Sequence, residues 1–253
     1  MAQPCVCVTG STQGIGFAIA EAFAQQGARL VINSHLPNTE AVERLSALTE
    51  CHFVQADLST AKGAEMLIEA AHAKLGRLDT LVNNAGTFLD VPFDDLTEAI
   101  FDRTFDLNVK AYVFASQAFV RKVAPDQQGA SILCVGSTNS VMAERHSVVY
   151  DASKGAVLML VRSLAVSLAG RGIRVNGIGP GIIETPLTKR GLDVPGVRKS
   201  LNAQIPFGRI GQPDDVGGAA VFLASPAAGY ITGQMLFVDG GILAIQKTWE
   251  PPV

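Results

Sequence analysis

The sequence predicts a single α/β domain: a doubly wound parallel sheet with helices on both faces. Three observations carry this. Short β-branched runs alternate with helical stretches, the order that yields parallel strands joined by right-handed crossovers. The runs are apolar throughout, which calls for cover on both sides of the sheet. The chain has 253 residues, 48% of them hydrophobic, enough for one large domain with a sizeable core.

Strands are predicted at residues 6–9, 30–33, 53–55, 80–83, 132–135, 174–178 and 235–238, with a first helix over 16–26. The chain shows no repeat, low-complexity tract or linker, so residues 1–253 read as one domain. Segment 180–207 reads as a long irregular loop, because it carries Gly181, Pro186, Gly191, Pro195, Gly196 and Pro206. A loop of that length inside a compact domain is usually functional. The longest apolar stretch, 155–168, is broken by Arg162 and is too short to span a bilayer. The N-terminus lacks a basic segment followed by an apolar one, so no signal peptide is expected.

Charge and composition exclude several classes. The formal charge is −3 and no basic run occurs, which argues against a nucleic-acid partner. Cys5, Cys7, Cys51 and Cys134 have no zinc-finger spacing and read as reduced thiols of a cytoplasmic protein. His35, His52, His72 and His146 form no metal-binding pattern, so no metal site is expected.

The first strand runs directly into Gly10, Ser11, Thr12, Gln13, Gly14, Ile15 and Gly16, and a helix follows. Glycines at 10, 14 and 16 permit a tight turn and close approach of the backbone to a pyrophosphate. The helix start offers free N–H groups and the positive end of its dipole. The spacing is G-x-x-x-G-x-G, and it gains weight from lying between a strand and a helix. An acidic residue at the end of the second strand would bind the ribose hydroxyls of NAD. Ser34 and His35 stand there instead, leaving room for a 2′-phosphate and tilting the reading toward NADP over NAD.

Tyr150 and Lys154 lie four residues apart at the start of a predicted helix reaching Leu168. That spacing returns to nearly the same face, so an ammonium would stand beside a phenol and lower its pKa. A phenol tuned in this way exchanges a proton with a carbonyl oxygen near neutral pH. Of the three tyrosines, only Tyr150 has this lysine. Ser137 follows the strand at 132–135, at the edge where open α/β sheets bind ligands. Asn84, Ala85 and Gly86 end another strand at that edge, and Asn108 sits in a helical segment.

Taken in order and spacing, Thr9–Gly16, Asp57, Asn83–Gly86, Asn108, Ser137, Tyr150, Lys154, Pro180 and Gly181 resemble the short-chain dehydrogenase/reductase family from end to end. The resemblance implies a Rossmann-like fold and a catalytic tetrad of Asn108, Ser137, Tyr150 and Lys154. It implies that Lys154 and Tyr150 also contact the cofactor and that Asn108 anchors a relay water. Asp57 and Leu58 would flank the adenine. Pro180, Gly181, Ile183 and Thr185 would hold the nicotinamide amide. Gly179 departs from the pattern, where a bulkier or polar residue is usual.

Residues 182–207 and the loop after Ser137 are expected to wall the substrate, with Asn139, Arg145 and His146 supplying polarity suited to a sugar or polyol. Segment 205–213 and the ending at 230–241 are similar to bacterial glucose and other aldose 1-dehydrogenases, and also to 3-oxoacyl-carrier-protein reductases. The alternatives are thus a sugar dehydrogenase, a 3-oxoacyl reductase, or a cofactor-sensing protein without chemistry, which should lack part of the tetrad. The helix after Tyr150 is apolar around most of its circumference, so a homo-oligomer, a tetramer by resemblance, is expected. The tail 242–253 holds the only tryptophan, Trp249, and its segment 242–249 is expected to pack on a neighbouring subunit.

Overall fold

A computed structural model describes residues 3–245. The chain forms β1 (Cys5–Val8), α1 (Gly14–Gln25), β2 (Arg29–Ser34), α2 (Thr39–Ser46), β3 (Cys51–Gln55), α3 (Ala61–Leu75) and β4 (Thr80–Asn83). It continues through α4 (Glu98–Phe105), α5 (Ala111–Lys122), β5 (Ser131–Val135), α6 (Val148–Leu168) and β6 (Arg174–Pro180). The last elements are α7 (Pro186–Leu192), α8 (Val197–Asn202), α9 (Asp214–Ala224) and β7 (Met235–Val238). The strands make one parallel sheet in the order β3-β2-β1-β4-β5-β6-β7. The order reverses between β1 and β4, and ligands bind open α/β sheets at such a switch point.

Strand residues alternate between two cores. Cys5, Cys7, Leu81, Ile132 and Val175 face one core, with Leu67 of α3, Phe119 of α5 and Val161 of α6. Val6, Val8, Leu133, Val135 and Ile178 face the other, with Ile19 and Phe23 of α1 and Val216 of α9. Burying an aliphatic side chain of this size contributes about 1.5–3 kcal/mol, and both strand faces collect it. Helices α1 and α9 approach closely because Gly217 has no side chain; a Cβ there would meet Ala22 Cβ at 2.9 Å.

The expected loop at 180–207 is only partly irregular, since α7 and α8 lie within it. Thr185 and Thr188 form a capping box at the start of α7, and Pro186 takes the first turn, where its missing N–H costs nothing. Leu192, Ile205 and Ile210 make a small core of their own here, and Ile242 packs against it. Ile242, the first residue of the segment expected on a neighbouring subunit, thus makes contacts within its own chain. Residues 246–249 of that segment, Trp249 included, lie outside the described residues.

Helix α6 is longer than the apolar stretch suggested. With the turn after it, it runs from Val148 to Arg171, long and apolar enough by composition to cross a membrane. It nevertheless packs along the sheet through Val157, Val161 and Ala165. Its N-terminal end carries Tyr150 and Lys154.

Candidate active site

The glycine turn after β1 is tied down by two asparagines. Asn84 Nδ2 donates to the carbonyls of Thr9 and Gly10 at 2.9 Å each, while Thr9 Oγ1 accepts from the N–H groups of Asn84 and Ala85. Asn33, at the end of β2, accepts from Gly10 N through Oδ1 and from Ser11 N through its carbonyl. Gly10 and Gly14 have φ of +58° and +57°, a region that favours glycine. A Cβ on Gly10 would also meet Ala85 Cα at 2.8 Å, and one on Gly16 would run into the Asn84 amide.

Side chains cap α2, α3 and α4, through Asn38, Thr60 and Thr97. The residue before α1, Gln13, makes no side-chain cap. The N–H groups that open α1 thus face the glycine turn uncapped, an arrangement that suits a diphosphate. This fits the dinucleotide that the turn implies. Thr185 stands 3.4 Å from where a Gly14 Cβ would be, so the end of the 180–185 segment lies against the same turn.

Several residues expected at the cofactor have side chains engaged within the protein. The Ser11 hydroxyl donates to Val8 O and accepts from Asn33 N, and the residue is fully buried. Ile15 packs against the α1-side core, Ile183 is buried in that core, and Leu58 is buried in the opposite one. Ser11, Ile183 and Leu58 thus turn their side chains inward and leave their main chain to a ligand, while Ile15 is only partly buried. Thr12 and Gln13 remain at the surface of the turn. Ser34 Oγ accepts from Leu36 N, and His35 is exposed. The Ser59 N–H holds the Asp57 carboxyl below its usual range, and the nearby His35 adds to this, so Asp57 and His35 lie close to each other at the ends of β3 and β2.

Asn108 is fully buried in a wide helical turn, Asp106–Lys110, with π-type bonding. Such turns often mark functional positions. Its Oδ1 accepts from Thr87 N at 2.8 Å, and its Nδ2 donates to Thr87 O and Ser153 Oγ at 3.0 Å each. Ser153 in turn donates to Tyr150 O. The Asn108 amide is spent on protein partners, so a relay water would meet its main chain instead.

Tyr150 lies edge-on to Phe88, ring centroids 4.9 Å apart. The buried Lys154 Nζ stands 5.6 Å from the Tyr150 ring centroid and donates to Val135 O at 3.0 Å. Tyr112 OH donates to that same carbonyl. Burial dominates the electrostatics. It pushes the Tyr150 phenol up to about 12, with the Ser137 hydroxyl drawing it back and the Glu144 and Asp151 carboxylates adding to the rise. Burial also lowers Lys154 to about 8. Against the expectation of a lowered phenol, desolvation dominates in this protein and holds Tyr150 above its usual range.

On the substrate side, Arg145 and His146 are exposed on the loop before α6, and His146 has φ of +67°. Asn139 is turned toward Ser137 and Asp151 rather than into open space. A charged hollow of about 380 Å³, lined by Glu184, Arg198, Arg209 and Asp215 among others, lies apart from these groups. Both its arginines are paired with its carboxylates, Arg198 with Glu184 and Arg209 with Asp215. Gly179 also finds its reason here: the ring of its cross-strand neighbour Phe237 occupies the space a side chain would fill.

Sequence reasoning missed Asn33, Thr87, Phe88, Ser153 and Asp151. A polar residue closing an apolar strand was the available signal for Asn33. No pattern in the sequence marks the other four, which enter the site through tertiary packing.

Comparison with known proteins places these features in context. Residues 10–243 match a family described as enoyl-(acyl carrier protein) reductase. The chain is 34% identical over 245 residues to the L-rhamnose-1-dehydrogenase of Scheffersomyces stipitis, covering 94% of this chain and 95% of that protein. Among solved structures it is similar to the Pseudomonas aeruginosa RhlG/NADP active-site complex, with TM-score 0.88, 33% identity and coverage of 96% and 97%. It is also similar to the 3-oxoacyl-[acyl-carrier protein] reductase of Brucella melitensis in complex with NAD, with TM-score 0.92, 31% identity and coverage of 98% and 100%.

Proposed function

The chain belongs to the short-chain dehydrogenase/reductase family, and from that premise we propose that it interconverts a hydroxyl and a carbonyl on a sugar or polyol, as an aldose 1-dehydrogenase does, with NADP or NAD. The observation that carries this reading is the convergence of Ser137, Tyr150 and Lys154 at one end of β5, beside a glycine turn fit for a dinucleotide. A bound nicotinamide supplies the acceptor or donor of hydride. The chain's own residues handle the proton and the oxygen. Ser137 hydrogen-bonds the substrate oxygen, and the Tyr150 phenol takes or gives the hydroxyl proton. Lys154, facing the Tyr150 ring, favours the phenolate. Asn108 ties α6 to the segment after β4 through Ser153 and Thr87, which fixes the height of Tyr150 in the cleft.

The relative that acts on rhamnose supports a sugar substrate. The neighbour that reduces 3-oxoacyl groups supports the second reading, reduction of a 3-oxoacyl thioester. Incubating the protein with aldoses, polyols and acetoacetyl thioesters, each with NAD and NADP, separates them by absorbance at the reduced nicotinamide band. Turnover of thioesters alone overturns the sugar reading. A cofactor sensor without chemistry is disfavoured because all four tetrad residues are present.

We favour NADP, since the end of β2 carries Ser34 and His35 and no carboxylate. Ser34→Asp would set a negative charge where a 2′-phosphate sits. The ratio of kcat/KM for NAD to that for NADP is expected to rise by roughly tenfold or more. An unchanged ratio would mean that the phosphate is held elsewhere.

We also infer a cytoplasmic homotetramer with neither membrane nor nucleic-acid partner. Four free cysteines suit a reducing compartment. On α6, Met159 and Val166 are 56% and 81% exposed, and an apolar face of this kind gains by packing on a second copy. Light scattering at micromolar concentration is expected to give the tetramer mass, and Val166→Glu to lower it. A stable wild-type monomer refutes the assembly.

A further inference from the structure

Asp151 follows Tyr150 on α6, and the tetrad does not use it. Its Oδ1 accepts from Asn139 Nδ2 at 2.7 Å, and its Oδ2 accepts from Glu144 N at 2.9 Å. Glu144 Oε2 also lies 3.4 Å from Asn139 Nδ2. A carboxylate accepts but does not donate, so these two neighbours decide which end of the Asn139 amide turns toward them. The Nδ2 end faces the carboxylates, and the Oδ1 end must therefore face Ser137. The Ser137 hydroxyl donates to that Oδ1 at 3.3 Å and accepts from Asn139 N at 3.1 Å. Ser137 thus has its proton held by a long bond to Asn139, from which it can turn to the Tyr150 phenol or a substrate oxygen, and one lone pair engaged by the main chain.

We propose that Asp151 and Asn139 form a positioning pair that sets the direction of the Ser137 hydroxyl for the reaction at Tyr150. The chain of contacts runs from α6 back to the turn after β5, so it also fixes the distance between the two elements that carry Ser137 and Tyr150. Asn139 is then a positioning residue and not a wall of the substrate pocket. The proposal rests on the oxidoreductase reading above.

Asp151 acts on Tyr150 in a second way. The charged and titratable groups around the phenol are Lys154 and Asp151 on α6, Glu144 on the loop before it, and Tyr112 on α5. The two carboxylates disfavour the phenolate. Removing the Asp151 charge therefore makes the phenol easier to ionise, and the rise of oxidation rate with pH shifts to lower pH.

The test compares Asp151→Ala, Asp151→Asn and Asn139→Ala. Asp151→Asn keeps an acceptor for Asn139 but not the charge; Asp151→Ala removes both. Asp151→Ala and Asn139→Ala are expected to lower kcat about tenfold, the cost of one lost orienting hydrogen bond. Their dissociation constants for NAD and NADP should stay within twofold of wild type. Asp151→Asn should recover most of kcat while keeping the acid-shifted profile of Asp151→Ala. Wild-type kcat in Asp151→Ala overturns the proposal. So does a fall in kcat matched by equal losses in cofactor affinity and melting temperature, which would mark a merely structural residue.

A second arm needs no substrate. Ultraviolet titration of the cofactor-free protein, minus that of Tyr150→Phe, isolates the ionisation of Tyr150. Asp151→Asn should move it downward, and an unmoved titration overturns the proposal. If wild type turns over no sugar, polyol or thioester while this titration shifts as stated, the substrate reading fails and the placement of the Asp151 carboxylate beside the phenol stands.

Discussion

Tyr150→Phe is expected to abolish turnover while leaving cofactor affinity within about twofold. The ring that packs edge-on to Phe88 is unchanged by the substitution, and so is the Lys154 ammonium beside it. Only the proton in flight is lost, and proton transfer by a positioned group is worth about 10² to 10⁴ in rate. The pH dependence offers a second check. Burial pushes the phenol up to about 12 in the cofactor-free protein, so the phenolate that accepts a proton grows as pH rises toward that value. Oxidation should therefore speed up with pH, while reduction, which draws on the nearly fully protonated phenol, should stay flat below about pH 10; Tyr150→Phe should lose the oxidation trend. Steady-state rates at saturating cofactor from pH 6 to 10 provide the measurement; retention of more than a tenth of wild-type activity rules out Tyr150 as the proton carrier.

The architecture was legible in the sequence because strand and helix alternate with so little between them. Two of the seven strands, Thr80–Asn83 and Met235–Val238, have the predicted limits, and the others gain or shift by a residue or two. Those edges depend on register with a neighbour: β6 runs on to Pro180 because Gly179 and Pro180 pair with Phe237 and Val238. The reading of 180–207 as loop failed for a local reason. Its glycines and prolines were taken as breaks, yet Pro186 stands at a helix start and Thr185 with Thr188 caps it. That signal was in the sequence. The six-residue α8 carried none strong enough to see, since it opens on Gly196 with no side-chain cap.

At the site, the sequence named residues but not the direction of their side chains. Ser11, Leu58 and Ile183 were expected at the cofactor, and each turns its side chain inward. Which face of a turn meets the ligand is settled by packing against β2 and α3, not by spacing along the chain. The four-residue interval between Tyr150 and Lys154 correctly made them neighbours. It could not reveal that both are deep enough for desolvation to dominate the titration of each. Asp151 and Asn139, twelve residues apart, meet only because the turn after β5 folds back onto α6.

Lys154→Met is expected to stop turnover and, at neutral pH, to stabilise the cofactor-free protein. The ammonium is fully enclosed, and burial lowers it from 10.5 to about 8. At 1.36 kcal/mol per pH unit, that gap corresponds to roughly 3 kcal/mol that the fold gives up to keep the lysine charged below pH 8. Methionine keeps most of the aliphatic stem and drops the charge. The carbonyl that loses the lysine is not orphaned, because Tyr112 OH still donates to Val135 O at 3.2 Å. A net gain of about 1–3 kcal/mol should remain, raising Tm by several degrees in a chain of this size. The sign with pH follows from proton counting. The folded protein binds fewer protons at this site than the unfolded chain, so wild-type stability contributed by Lys154 rises between about pH 8 and 10.5. Lys154→Met should lack that rise, and the two proteins should converge at high pH. Activity should fall by roughly 10² or more, since no cation remains beside the phenolate. Thermal unfolding at pH 7 and pH 10, paired with turnover at pH 8, reads both effects. A variant less stable than wild type at pH 7 would show that the buried ammonium is not the burden inferred here, and a variant with near-wild-type turnover would remove Lys154 from the proton chemistry.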